Sequence, residues 1–254
     1  MDVSNKVVVI AGGASGLGAA CAYQLSLAGA KVAILDRQEV AAEKIAKEVR
    51  GKAFECDVTD SPRVEEIFRR VAHDLGDIRV VINCAGIAPA KRLVGKNGPM
   101  PTEEFVQAIN INLVGTFNIM REAAAHMTAL SWSDKNESCG VIINTASVAA
   151  YEGQIGQIAY SASKAGVVGM TLPAARELAR FGIRVMTIAP GIFETPMMVG
   201  MTSEVQASLA QQVPFPKRLG KPQEYAQLVQ QIIENEMLNG SVIRLDGAIR
   251  MAAT

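Results

Sequence analysis

Short apolar runs alternate with amphipathic stretches of helical length from one end of the chain to the other. The runs are Val7-Val8-Val9-Ile10, Lys31-Val32-Ala33-Ile34-Leu35, Val80-Val81-Ile82, Val141-Ile142-Ile143, Arg184-Val185-Met186-Thr187-Ile188 and Val242-Ile243-Arg244-Leu245, with a weaker one at Lys52-Ala53-Phe54-Glu55-Cys56. Continuous rather than alternating hydrophobicity suits strands covered on both faces, which is the condition of a parallel sheet. Between them, helical periodicity covers about 16–28, 38–50, 61–75, 103–129, 159–181 and 222–235. Such alternation predicts βαβ units with right-handed crossovers, hence an α/β doubly wound parallel sheet of about seven strands with helices on both faces. No repeat or low-complexity linker interrupts it, so residues 1–254 are expected to form one domain. Two stretches break the rhythm, 87–103 and 190–220, both rich in turn formers. Each follows a predicted strand, so each is expected at the carboxyl edge of the sheet, where loops carry function.

Composition narrows the classes. Of 254 residues, 49% are hydrophobic and 20% charged, with 25 basic against 25 acidic side chains. Zero net charge argues against a nucleic-acid or membrane-surface partner held by bulk charge. No apolar run approaches the roughly 18 residues of a membrane span. The start, "MDVSNKVVVIAGG", enters a strand too soon for a signal or transit peptide. Cys21, Cys56, Cys84 and Cys139 lack C-x-x-C spacing and are expected to be reduced thiols. His73 and His126 have no cluster around them and are expected on helix surfaces, so no metal site is expected.

The chemistry starts after the first strand, at Ala11-Gly12-Gly13-Ala14-Ser15-Gly16-Leu17-Gly18. Glycines at 12, 16 and 18 allow a tight turn, close approach of a pyrophosphate and close packing of helix on strand, and the helix N-terminus offers N–H groups to the anion. The spacing is G-x-x-x-G-x-G. Asp36 closes the second predicted strand, where a carboxylate accepts ribose hydroxyls and repels a 2′-phosphate; this favours NAD, although Arg37 beside it could hold that phosphate. Asp57-Val58 could meet an adenine, or Asp57 could belong to a helix entry capped by Thr59-Asp60-Ser61. Tyr160 and Lys164 stand four apart in "YSASK", one turn along a helix. An arbitrary pair at that spacing is most often a surface pair with no task.

Six motifs in order change that reading: "GGASGLG" (12–18), "NCAG" (83–86), "NLVGTF" (112–117), "NTAS" (144–147), "YSASK" (160–164) and "APG" (189–191). With them the chain resembles the short-chain dehydrogenase/reductase family over its whole length. "GVIINTASVAAYEGQIGQIAYSASKAGVVGMTLP", "QVPFPKRLG" and "NGSVIRLDGAIRM" are similar to the branch that handles 3-hydroxyacyl-CoA. Ala11 stands where many members have Thr, and Cys84 replaces the second Asn of the commoner N-N-A-G.

The resemblance implies a Rossmann-type fold and a catalytic set of Asn112, Ser147, Tyr160 and Lys164. It also implies dinucleotide contacts from Gly12, Ser15, Gly16, Leu17, Gly18, Asp36, Asp57, Val58, Cys84, Ala85, Gly86, Phe193 and Thr195 besides Tyr160 and Lys164. Tyr160 would act as general base, its phenol acidified by the ammonium placed beneath it. Ser147 would steady the substrate oxygen, Asn112 would anchor a proton-relay water, and Thr195 would fix the nicotinamide carboxamide; read from its residue type alone, Asn112 is a poor helix former that could simply mark a local bend, and a bend that holds a water would satisfy both. The implied reaction is reversible NAD-dependent oxidation of 3-hydroxyacyl-CoA, with steroid or other secondary alcohols also in range. Its rivals are an NADPH-dependent 3-oxoacyl reductase and a non-catalytic dinucleotide sensor. Met197, Met198, Val199, Met201 and Leu209 are candidates for an adaptable apolar cover, and Lys91, Arg92 and Lys96 for coenzyme A phosphates. A homotetramer is expected, in the cytoplasm, or in the mitochondrial matrix if the source is an animal.

Overall fold

The computed structural model describes all residues except 133–136, 197–201 and 254. Seven strands form one parallel sheet: β1 (Val7–Ala11), β2 (Lys31–Asp36), β3 (Lys52–Glu55), β4 (Ile78–Asn83), β7 (Gly140–Thr145), β8 (Ile183–Pro190) and β9 (Val242–Leu245), in the spatial order β3-β2-β1-β4-β7-β8-β9. A small antiparallel hairpin, β5 (Val94–Gly95) and β6 (Gly98–Pro99), stands apart within the 87–103 loop. β1 pairs with β2 on one side and β4 on the other, so the strand order reverses there. That switch point leaves a crevice at the carboxyl ends of the strands.

Period-two alternation sends side chains of each strand to opposite faces. Val8 and Ile10 of β1 join one core cluster with Cys21 and Leu25 of α1 (Gly16–Leu27) and Tyr225 and Val229 of a late helix, Pro222–Glu234. Val7 and Val9 join the other, with Ile67 and Phe68 of α3 (Ser61–Leu75) and Ile119 and Met127 of a helix at Gly115–Thr128. β2 and β3 are bridged by α2 (Glu39–Glu48). α3 begins where Asp60 accepts the Arg63 N–H at 3.0 Å, with Pro62 in the first turn, where its missing N–H costs nothing.

The stretch predicted as one helix over 103–129 is three pieces on a continuous axis. α4 (Thr102–Ile109) passes into a π-helical turn, Asn110–Val114, and then into α5 (Gly115–Thr128). The inserted residue of a π turn re-aims side chains at a functional site, and here it carries Asn112 inward, fully buried. α6 (Ile158–Leu178) holds Tyr160 and Lys164. In the 190–220 stretch a helix, α7 (Ser203–Gln211), precedes the late helix, α8 (Pro222–Glu234). The four cysteines are free thiols. His73 is exposed on α3, as expected, but His126 is half-buried against the Phe68 ring, at 5.8 Å between centroids. Burial there lowers its pKa. Among the described residues no helix is long and apolar enough to cross a membrane, and no acidic, His or Cys group could hold a metal.

Candidate active site

A cleft of about 580 Å³ opens at the switch point. Of the residues singled out above for cofactor or catalysis, all but Gly16 and Asn112 line it. The glycines explain its floor. A Cβ on Gly12, whose φ is +74°, would stand 2.5 Å from the Ala85 nitrogen, and one on Gly18 would stand 2.2 Å from the Gly12 carbonyl oxygen. Both positions therefore exclude a side chain, and the cradle in front of α1 stays open to an anion. Gly16, at φ +52°, faces the 190s loop, where a Cβ would lie 3.4 Å from Pro196 and 3.6 Å from Thr195. It shapes the turn without lining the cleft itself, next to Thr195 and Pro196, which do.

Asp36 is held at the far end. Its Oδ2 accepts the Ala14 N–H at 3.1 Å and its Oδ1 accepts the Gln38 N–H at 3.0 Å, which fixes the carboxylate on the cleft wall. Asp57 lines the cleft and also accepts the Thr59 N–H at 2.9 Å and hydroxyl at 2.7 Å, so it serves the helix entry as well.

At the other end, Ser147, Tyr160 and Lys164 face one space. Ser147 sits just past β7, and its hydroxyl oxygen accepts the Ala149 N–H at 3.1 Å, capping a short 3₁₀ turn. The same hydroxyl lies near enough to the Tyr160 phenol to pull its pKa downward. Lys164 is 4% exposed, and its Nζ donates to the Thr145 carbonyl at 2.8 Å. Burial drags its pKa down to about 8, with the nearby Cys84 thiol opposing that fall. Tyr160 moves the other way: burial raises its pKa, and the Ser147 contact only partly offsets the rise.

The ammonium faces the phenol ring, as the four-residue spacing suggests, but it makes no hydrogen bond to the phenol. Lys164 Nζ lies 5.9 Å from the Tyr160 ring centroid and spends its hydrogen bond on the backbone. The free cleft thus keeps a protonated phenol and a cation that is only modestly stable, each shifted by desolvation.

Asn112 lies behind this wall. Its Oδ1 accepts the Ile87 N–H at 2.8 Å, and its Nδ2 donates to the Ile87 carbonyl and to the Ser163 hydroxyl, both at 2.9 Å. It locks the loop that follows "NCAG" to α6 beside Tyr160. Gly86 has to lack a side chain there, since a Cβ would come within 3.0 Å of Asn112 Oδ1.

Several residues of the site carried no signal in the sequence. Thr145 joins Cys84 and Tyr225 in a buried cluster: its hydroxyl is 2.7 Å from the Tyr225 hydroxyl and 3.6 Å from Cys84 Sγ. Gln154, Gln157 and Met251 line the cleft. Leu209 lines it too, whereas Met197, Met198, Val199 and Met201 lie outside the described residues. In the 87–103 loop, Lys91 is ion-paired with Glu104, while Arg92 and Lys96 are exposed. Arg92 borders a second groove of about 640 Å³ walled by Leu93, Val94, Ile155 and Ile158, which shares Gln154 with the cleft.

Comparison with known proteins gives the same frame. The family model for short chain dehydrogenase matches residues 6–206. The chain is 52% identical over 254 residues to 3-hydroxyacyl-CoA dehydrogenase type-2 of Bos taurus and 51% identical to that of Homo sapiens, covering 98% of this chain and 97% of each relative. The crystal structure of 3-hydroxyacyl-CoA dehydrogenase type-2 from Mycobacterium avium superposes with a TM-score of 0.91 at 39% identity, covering 98% of this chain and 97% of that one.

Proposed function

The chain belongs to the short-chain dehydrogenase family, and from that premise we propose that it oxidises 3-hydroxyacyl-CoA thioesters to 3-oxoacyl-CoA, reversibly, with NAD. The observation that carries the reading is the convergence of Ser147, Tyr160 and Lys164 at one end of a cleft whose other end is a side-chain-free cradle and a tethered Asp36. The likeness in sequence to enzymes named for that substrate supports the choice of thioester.

The residues present fit a dinucleotide. Gly12 and Gly18 let the turn pack backbone against backbone, where any side chain would collide, and that tight turn lets a pyrophosphate approach the N–H groups at the N-terminus of α1. Asp36 would hold the adenosine ribose hydroxyls, with its negative charge set against a 2′-phosphate. Bound NAD⁺ supplies the hydride acceptor and a positive charge beside the phenol. Ser147 donates a hydrogen bond to the substrate oxygen and steadies its developing charge. The Tyr160 phenolate oxygen takes the hydroxyl proton. Lys164, protonated below about pH 8, holds the cation that keeps a phenolate tolerable in a buried place. Asn112 keeps Ile87 and Ser163 in register so that Tyr160 faces Ser147.

For the coenzyme A arm, the 87–103 loop and the apolar groove beside it offer a path continuous with the cleft through Gln154. KM values for acetoacetyl-CoA and a pantetheine-shortened analogue in a Lys91/Arg92/Lys96 triple alanine variant test this. Arg92 and Lys96 should account for the effect because Lys91 is engaged by Glu104, and unchanged KM values refute it. Exposed Val106, Val114, Phe117 and Leu172 on α4, α5, the π turn and α6 suit a helical interface between copies, consistent with the proposed homotetramer.

The experiment for the whole reading is a panel of 3-hydroxyacyl-CoAs, steroid alcohols and simple secondary alcohols, each with NAD⁺ and NADP⁺. The reading expects highest kcat/KM for a 3-hydroxyacyl-CoA with NAD⁺, and an Asp36→Asn variant that loses much of that cofactor preference. Preference for NADP⁺ in the unaltered protein would favour the 3-oxoacyl reductase reading instead.

A further inference from the structure

The tail that follows β9 is fastened by charges for which the reaction above has no use. Arg244, in β9, places Nη1 and Nη2 each 2.8 Å from one carboxylate oxygen of Glu152. Its Nε lies 2.7 Å from Asp246 Oδ2, its Nη2 also donates to the Ile249 carbonyl at 3.0 Å, and its guanidinium lies 5.3 Å from the Tyr151 ring centroid. Arg250 adds a second cation, 3.2 Å from Asp246 and 3.5 Å from Glu152. The tail is tied again farther on, where the Ile155 N–H donates to the Ala253 carbonyl at 2.8 Å.

The pairing is two-pronged and partly sheltered, with side-chain exposures of 22% for Arg244, 26% for Glu152 and 8% for Asp246. Forked Arg–carboxylate bonds of this kind fix orientation as well as proximity. What they orient is informative. Glu152 lies in the segment that runs from Ser147 to Tyr160, and the tail it grips brings Met251 into the lining of the cleft that Ser147, Gln154 and Tyr160 also line, with the tail bonded next to Gln154 at Ile155. Methionine is the side chain that best follows an irregular apolar ligand.

We propose that Arg244 and Glu152 are positioning residues that hold Met251 on the substrate side of the cleft, where Met251 contacts the acyl chain and sets chain-length preference. The inference rests on the acyl-thioester reading of the site and goes beyond it.

The test compares acetoacetyl-CoA with 3-oxooctanoyl-CoA, each reduced with NADH, in the full-length protein. M251A should lower the longer-to-shorter ratio of kcat/KM by about tenfold, the size expected when an apolar pocket loses contact with a few methylenes. R244A should move the ratio in the same direction. R244K, which keeps the charge and loses the fork, should move it less. The double variant R244A/M251A should move it no further than M251A alone, because one residue acts through the other. A ratio unchanged in M251A, or full additivity in the double variant, overturns the inference while leaving the enzyme reading intact. Should R244A fail to fold, M251A and R244K still decide. An unaltered protein that turns over neither thioester overturns the substrate reading and this inference with it.

Discussion

Replacing Lys164 by Met should change how stability depends on pH, in a direction and amount that the structure specifies. Lys164 is 4% exposed and its pKa falls from 10.5 to about 8 because burial penalises the ammonium. At roughly 1.4 kcal/mol per pKa unit, keeping that charge at neutral pH costs about 3 kcal/mol. The folded chain releases the proton near pH 8 and the unfolded chain near 10.5, so between those values the unfolded state binds more protons and stability rises with pH. Methionine has no proton to release.

The unaltered protein should therefore gain about 1 kcal/mol over Lys164→Met between pH 7 and 9, or roughly 2–4 °C in melting temperature for a chain of this size. Loss of the bond to the Thr145 carbonyl shifts the difference by a constant and leaves its slope alone. Tyr160, whose pKa is raised, stays protonated across this range in the free protein. The Cys84 thiol is acidified chiefly by its contact with Cys21 and, to a smaller degree, by the Lys164 charge, so both proteins should also be compared with Cys84→Ser in place. Urea melts at pH 7, 8 and 9 give the slope. A difference that stays flat to within about 0.5 kcal/mol would refute the claim that a desolvated ammonium sits in this cleft.

Two further substitutions probe the other ends of the site. Gly18→Ala forces a Cβ to within 2.2 Å of the Gly12 carbonyl, so the turn must move; NADH affinity, read by fluorescence titration, should fall about 10- to 100-fold, in line with overpacking costs of roughly 1–3 kcal/mol. Asn112→Ala leaves Ile87 and Ser163 without three hydrogen bonds, and kcat should drop at least about tenfold with a lowered melting temperature, since each orphaned buried group costs about 1–3 kcal/mol; an unchanged kcat would show that the tie to Ile87 does not serve Tyr160.

The strands were legible because a sheet covered on both faces leaves no polar alternation to confuse them, and Val7–Ala11 and Ile183–Pro190 are buried throughout. The cradle was legible because glycine is required where a Cβ would collide, as at Gly12 and Gly18. What the sequence concealed depends on burial and on distant partners. Tyr160 and Lys164 stand one turn apart, but whether charge or desolvation governs them is decided by what surrounds them, and here desolvation leads for both. Asn112 read as a weak helix former, and its grip on Ile87 came only with the π turn. Met251 reaches the cleft because Arg244 meets Glu152, 92 residues away in sequence, a pairing that no local pattern announces.

The proposed chemistry turns on one oxygen atom. Tyr160→Phe removes it and leaves the ring, the glycine cradle and Asp36 in place. Steady-state oxidation of 3-hydroxybutyryl-CoA by NAD⁺, measured beside the dissociation constant of NADH, isolates its role. The account predicts that kcat falls by at least about 100-fold, the usual contribution of a positioned acid–base group, while NADH still binds within a few-fold of its original affinity. Turnover within tenfold of the unaltered protein would contradict it.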